Sequence, residues 1–373
     1  MDFEKLKENS ILVTKTPLPG YNLTNILVIL AQNKFRFSLR YFNRMVYTLF
    51  LSSIIAPFRI RERIKYDKKI NNTEIKNHPL FIIGHWRNGT TYLHNVLSLD
   101  KNLGYFTTFH AYLPSVFLSS EKLLKSIVAK SLPKKRPMDD AIMDADLPQE
   151  DQYAIGAFSP YSYYHGWCFP KNMDFYNNYV LMENVSQDVI DKWKKVYLYL
   201  LKKATLYNNG KRLVLKNQDN TAKIKILLEM FPDAKFILIL RNPYQMYYSM
   251  MKFMRIVIPL YCVQNPPKFE IVEKSMMDLY AKFFRKYLDQ RDSIPKGNLV
   301  EIKYENFINN PLKMLKKIYT SLNLEGFKES ENSFREYVET QKSFKPQTYE
   351  VSDDVRKKID EKWGFVVEEF GYK

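Results

Sequence analysis

The chain alternates short runs of consecutive apolar residues with longer stretches in which apolar residues recur every three or four positions. Leu80 to Ile83 and Phe236 to Leu240 are short and apolar enough to be strands buried in a sheet, Leu213 to Lys216 is a short strand with a cation at its end, and Leu299 to Glu305 reads as a further strand. Helical spacing follows from Tyr92 onward, from 187 to 209 up to the stop at Asn208-Asn209-Gly210, from Thr221 to Met230, from Tyr244, and from 275 to 290. Strands separated by helices predict an α/β fold, a central parallel sheet flanked by helices. The last seventy residues read as charged and helical.

The N-terminal part has a different pattern. Two apolar runs, Leu23 to Ala31 and Val46 to Phe58, are separated by Arg36, Arg40 and Arg44. Each run falls short of the roughly 18 to 20 residues that cross a bilayer. The four-residue spacing of the arginines predicts one basic face on an amphipathic helix, which either packs on the catalytic domain or lies on a membrane surface. The expected division is residues 1–78 as an N-terminal helical segment, with peripheral membrane contact through 22–60, and 79–373 as the catalytic domain.

The first strand runs into Gly84-His85-Trp86-Arg87-Asn88-Gly89-Thr90-Thr91-Tyr92. Gly84, four residues, Gly89 and two hydroxyls is the spacing of the nucleotide-triphosphate loop, except that Thr90 occupies the lysine position. Such a loop cradles a phosphate on its N–H groups and on the start of the next helix. Without the lysine it is poorly equipped for the β- and γ-phosphates of ATP or GTP. Arg87 supplies instead a planar guanidinium that can hold two oxygens of a tetrahedral anion. The strand at 236–240 ends in Arg241, where a parallel sheet presents ligand contacts. Asn242-Pro243 breaks it, and a helix from Tyr244 brings Ser249 back within reach of an anion held by Arg241.

With both halves in view, the chain resembles the sulfotransferases that use 3′-phosphoadenosine 5′-phosphosulfate (PAPS), and among them the bacterial branch whose loop reads G-H-W-R-x-G-T-T. The resemblance covers residues 60 to 325 and implies a P-loop-containing nucleotide-binding fold. It implies that Arg87, Asn88, Gly89, Thr90 and Thr91 hold the 5′-phosphosulfate and that Arg241 and Ser249 hold the 3′-phosphate. Tyr92 and Tyr304 stand at adenine-contact positions, Tyr304 within the Tyr-Glu pair that ends a strand in this family. Lys216 matches the lysine directed at the transferring sulfuryl group, with Arg87 beside it. Many relatives carry a general-base histidine four residues further on. Here that position is Asn220, which takes no proton at neutral pH.

Two residues are therefore candidates for the base. His110 lies about twenty residues past the loop, where some relatives carry a catalytic glutamate, and an imidazole titrates near pH 7. Glu150, in Pro148-Gln149-Glu150-Asp151, belongs to a carboxylate pair that recurs in this branch, and crowding or burial raises such a group's pKa. The preference falls on His110. His165, in an aromatic stretch from Phe158 to Trp167, is a weaker third. That stretch is either a wall for an apolar acceptor or core.

Composition narrows the partner. Lys and Arg number 57 against 40 Asp and Glu, a formal charge of +17 that suits a cleft for a polyanionic nucleotide. No helix-turn-helix, zinc pattern or arginine-rich tail points to nucleic acid. Cys168 and Cys262 make neither a disulfide framework nor a metal set, no other cluster implies a metal, and a reducing cytoplasm fits them. Met1-Asp2-Phe3-Glu4 does not open a secretory leader. The 27 Tyr, 25 Phe and 14 Met favour a lipophilic alcohol as acceptor. The Lys, Asn, Ile and Tyr bias suggests an AT-rich genome, and the chain resembles the gut Bacteroidetes enzymes that sulfonate sterols and related steroid alcohols. A carbohydrate or glycolipid acceptor is the alternative. The rival classes are a nucleotide kinase or phosphotransferase, which the missing loop lysine disfavours, and a non-enzymatic basic protein that binds membrane surfaces or nucleic acid.

Overall fold

Five parallel strands form one sheet in the order β2-β3-β1-β4-β5: β1 Leu80–Ile83, β2 Leu103–Gly104, β3 Arg212–Lys216, β4 Lys235–Leu240 and β5 Leu299–Lys303. The computed structural model describes residues 20–139, 141–342 and 347–372. β1 lies in the middle with β3 on one side and β4 on the other, Phe81 facing Leu215 and Phe236 in register. All four of its residues are buried, which is why the segment carries no polar alternation. Because successive strands leave β1 in opposite directions, the carboxyl ends of β1, β3 and β4 open a crevice in the sheet, the place where open α/β folds bind ligands.

The chain divides into two compact units. One comprises residues 76–105, 208–251 and 276–373, and contains the whole sheet. Its core is built from Leu80, Ile82, Ile237 and Ile239 of the strands with Leu93 and Val96 of the helix Thr90–Leu97 and Phe307, Leu315 and Ile318 of later helices. The other comprises, among the described residues, 20–75, 106–139, 141–207 and 252–275. There the helix Phe42–Asn71 packs against Phe117–Ser131 and Gln187–Tyr207. The helices Leu23–Gln32 and Phe42–Asn71 share their unit with residues from the segments 106–207 and 252–275. Residues 1–19, with the expectation drawn from Met1 to Glu4, lie outside the described residues. No helix among the described residues is long and apolar enough to cross a membrane.

Three local expectations are corrected. Arg36, Arg40 and Arg44 do not share a helical face. The first helix, Leu23–Gln32, ends before Lys34 and Phe35, whose φ of 52° each turns the chain, and Arg40 sits in the short turn Leu39–Tyr41. Arg44 is buried in the next helix and donates Nη1 to the carbonyls of Pro259 (3.1 Å) and Cys262 (2.8 Å). The stretch from Thr221 to Met230 is not one helix: a 3₁₀ turn, Gln218–Ala222, precedes Ile224–Met230. The fifth strand stops at Lys303, and Tyr304 opens the helix Tyr304–Asn309.

Of the aromatic stretch, Tyr163, Tyr164, His165 and Trp167 are buried, with Tyr164 stacked on Trp167 at 4.1 Å between centroids. The rings of His165 face the carbonyls of Pro160 and Gly156, and burial pushes its pKa down to about 4, so it is a neutral core residue at pH 7.

Candidate functional site

The turn after β1 is shaped by backbone conformations that side chains resist. Gly84, Arg87 and Gly89 have φ of 131°, 71° and 90°. A Cβ on Gly84 would stand 2.4 Å from the carbonyl oxygen of Ile239 in β4, and one on Gly89 would stand 2.3 Å from the ring of Tyr304. Both glycines are therefore required by close approach as well as by φ. Expected for Gly84→Ala is a loss of roughly 2–4 kcal/mol, read by urea unfolding, because the opposing atom is backbone and cannot move aside.

Three buried residues hold this turn. Thr221 Oγ1 accepts the Gly84 N–H at 2.8 Å, and the Asn88 amide donates to Ile239 O at 3.1 Å. His85 packs edge-on against Tyr280 and Phe283, and burial drives its pKa down to about 3, so it is neutral filler rather than a cation for a ligand. Past Gly89 the helix Thr90–Leu97 starts with no side-chain cap and no acid in its first turn. A left-handed turn leading into an uncapped helix start leaves N–H groups for an anion.

Cations and hydroxyls gather around that turn from three strand ends. Lys216, the last residue of β3 and buried, donates from Nζ to Thr91 Oγ1 at 3.1 Å. Gln218 reaches Thr90 Oγ1 at 3.4 Å. Arg87 donates from Nε to Ser249 Oγ at 3.2 Å. Arg241, just past β4, donates Nη1 to Arg87 O at 3.0 Å and lies 5.0 Å above the ring of Tyr304. Burial lowers the Arg241 pKa, but a guanidinium stays charged at neutral pH. Ser249 comes from the helix Pro243–Tyr261, whose preceding turn is pinned by Glu305, Oε1 accepting the Asn242 N–H at 2.9 Å.

The structure thus brings Arg87, Gly89, Thr90, Thr91, Lys216, Arg241, Ser249 and Tyr304 together within one unit. Asn88 turns inward as a strut. Tyr92 leaves the loop and packs on Phe307 and Tyr337, at 5.0 and 6.1 Å between centroids. Thr221 and Gln218 escape the sequence reading because they act through contacts distant in the chain, and Glu305 enters it only as half of the Tyr-Glu pair. Two guanidiniums, an ammonium, hydroxyls and backbone N–H groups form a set suited to a ligand with separate anionic groups. Among the described residues no group of three or more His, Cys, Asp or Glu side chains is placed to hold a metal ion.

His110 and Glu150 lie in the other unit. His110 is buried in the short helix Thr108–Tyr112, where it completes a capping box: the Thr107 N–H donates to Nδ1 at 3.3 Å and the His110 N–H to Thr107 Oγ1 at 3.2 Å. That fixes the ring proton on Nε2, which faces Glu121 Oε1 at 3.7 Å. Burial lowers the His110 pKa. The ring is packed between Phe117 and Tyr207. Glu150 precedes the helix Asp151–Phe158, and its carboxylate accepts from the Tyr164 hydroxyl. Tyr153, Tyr112, Tyr261 and Arg136 stand near enough to feel its charge. Its neighbour Asp151 accepts from Tyr197 at 2.6 Å instead. This ring of tyrosines comes from positions scattered between 112 and 261, so no local pattern announces it.

The sequence model of the family described as "Sulfotransferase family" matches residues 79–329, more than half of the chain. The omega-hydroxy-beta-dihydromenaquinone-9 sulfotransferase Stf3 of Mycobacterium bovis is 28% identical over 353 residues, covering 95% of this chain and 90% of the relative. The protein of the same name from Mycobacterium tuberculosis matches equally. Among solved structures, sulfotransferase STF9 from Mycobacterium avium superposes with a TM-score of 0.71 at 16% identity, covering 98% of this chain and 95% of the other. Sulfotransferase STF1 from Mycobacterium tuberculosis gives 0.67 at 17%, covering 98% and 99%. At those identities the structural likeness speaks for the fold alone. The family match spans the loop, Lys216, Arg241 and Ser249, and the chain belongs to the sulfotransferase family.

Proposed function

We propose that this sulfotransferase moves the sulfuryl group of PAPS onto the hydroxyl of a lipophilic alcohol. The observation that carries the donor part is the linked set Arg241, Arg87 and Ser249 on one side of the loop, with Lys216 and Thr91 on the other. In this reading Arg241 and Ser249 hold the 3′-phosphate, while Arg87, Gly89, Thr90 and Thr91 hold the 5′-phosphosulfate. Tyr304, already beneath Gly89 and Arg241, borders the adenine. Lys216 neutralises charge at the phosphosulfate as the bond from sulfur to the 5′-phosphate oxygen breaks and the acceptor oxygen bonds to sulfur. The products are a sulfate monoester and adenosine 3′,5′-bisphosphate.

For the acceptor proton we assign Glu150 rather than His110. The only lone pair of a neutral His110 ring is engaged by the Thr107 N–H, whereas a carboxylate takes up a proton at neutral-to-acid pH through either of two oxygens. The acceptor class rests on aromatic composition and on a relative named for a hydroxylated menaquinone. A sterol or steroid alcohol and an ω-hydroxylated prenyl lipid are the two members to compare. The test incubates the enzyme with sulfur-labelled PAPS and each alcohol, beside a disaccharide. Label in a lipid-extractable sulfate ester supports the reading, and label on the sugar alone contradicts the acceptor class.

A further inference from the structure

The helix Phe42–Asn71 is amphipathic in the reverse of the usual sense. At 100° per residue, Phe42, Val46, Phe50, Ile54, Ile60 and Ile64 share one arc of about 120°. These side chains are exposed, Phe50 to 61%, Ile60 to 60% and Ile64 to 83%. The opposite arc is buried and largely polar, with Arg44, Thr48, Ser52, Arg59 and Glu62. Those polar groups are not there by accident of placement. Arg59 donates to Tyr21 O at 2.5 Å and to Ser115 Oγ at 3.2 Å, and Glu62 accepts the Ser119 N–H at 2.8 Å and pairs with Lys203. The polar contacts lock the helix in this rotation, so the apolar stripe, roughly 33 Å long, is held outward. Phe37 stacks on Phe42 and extends it.

The charges around the stripe are of one sign. Residues 22–72 hold ten Lys and Arg against two acids, and both acids are engaged, Glu62 by Lys203 and Asp67 by Arg63 and Tyr199. Exposed Lys34, Arg36 and Arg40 precede the stripe, and exposed Arg61, Lys65 and Lys68 flank its far end. A shallow groove lined by Pro57, Ile60, Arg61, Ile64 and Lys65 joins the two features. A second copy of the chain seated on this face would bring like charges together. A bilayer surface bearing anionic lipids takes both the apolar side chains and the cations.

We propose that this stripe docks the protein on anionic lipid bilayers, the helix lying in the plane of the interface. Vesicle binding needs neither donor nor acceptor, so its outcome is separate from that of the sulfotransfer reading. The test is co-sedimentation of the full chain with phosphatidylcholine vesicles, with and without phosphatidylglycerol, at low and high salt. Expected is binding at least about tenfold tighter when phosphatidylglycerol is present, weakened by salt, and lost by about tenfold or more in Phe50→Asp/Ile60→Asp at an unchanged melting temperature. Arg61→Glu/Lys65→Glu, at exposed positions, is expected to lose the phosphatidylglycerol preference, and carries the test if the first variant unfolds. No binding by the wild type, or equal binding by both variants, overturns the proposal. So does a concentration-dependent dimer that the same substitutions dissolve, which would assign the face to a second copy.

Discussion

Lys216→Ala is expected to lower kcat by roughly a hundred- to a thousandfold with little change in the KM for PAPS, a loss of about 3 to 4 kcal/mol at the transition state. The ammonium ends a buried strand and is held against Thr91, so the fold itself positions it. Charge on the leaving phosphate grows only as the bond to sulfur breaks, and a fixed cation there stabilises the transition state more than the ground state. Lys216→Arg should recover only part of the rate, because a planar fork does not place its charge where a compact ammonium does. Initial rates with an accepting alcohol at saturating PAPS measure this. An unchanged kcat in the alanine variant would remove Lys216 from the chemistry.

Glu150→Gln is expected to reduce kcat/KM by about a hundredfold or more while leaving stability nearly unchanged. The amide oxygen can still accept from Tyr164, so the packing is kept and only the proton acceptor is lost. His110→Gln should do the opposite: its amide oxygen can still accept the Thr107 N–H, but the buried ring packed between Phe117 and Tyr207 is lost, a cost of about 1 to 3 kcal/mol in stability, with kcat/KM of the folded enzyme within a few-fold of wild type. The pH profile alone does not separate the two. A carboxylate base loses activity on protonation at acid pH, and burial places His110 below its ordinary value as well, so both predict a rate that falls toward acid and is level near neutrality. The pair of substitutions separates them. A large kinetic loss in the histidine variant with none in the glutamine variant at 150 would restore His110 as the base.

The sheet and the phosphate turn are legible in the sequence for a plain reason. β1, β3 and β4 are buried on both faces or nearly so and write themselves as apolar runs, the edge strand β5 alternates buried Val300 and Ile302 with half-buried neighbours, and the turn writes itself as two glycines that no other residue can replace. β2 has two residues and is below any such signal. The helix Phe42–Asn71 misleads for the opposite reason. Arg44 is expected on a basic face with Arg36 and Arg40, yet hydrogen bonds to the carbonyls of Pro259 and Cys262 draw it inward, as those of Arg59 do to Tyr21, and leave Phe50 and Ile60 exposed. Candidate bases are hard to rank from sequence because a local hydrogen bond that engages a histidine, here from the Thr107 N–H to His110, is not revealed by spacing. The supports of the turn, Thr221 and Glu305, are ordinary residues made important by what lies across from them in space.

The central claim is that the turn and the two strand ends recognise a nucleotide carrying a 3′-phosphate. A calorimetric titration with adenosine 3′,5′-bisphosphate, adenosine 5′-phosphate and ATP, on the wild type and on Arg241→Ala, tests it most directly. The bisphosphate should bind the wild type about a hundredfold more tightly than the 5′-phosphate, the size expected for charge-assisted bonds from Arg241 and Ser249, and Arg241→Ala should erase that difference. Equal affinity for the two adenosine phosphates, or tighter binding of ATP, would contradict the donor site and return the turn to the nucleoside triphosphates.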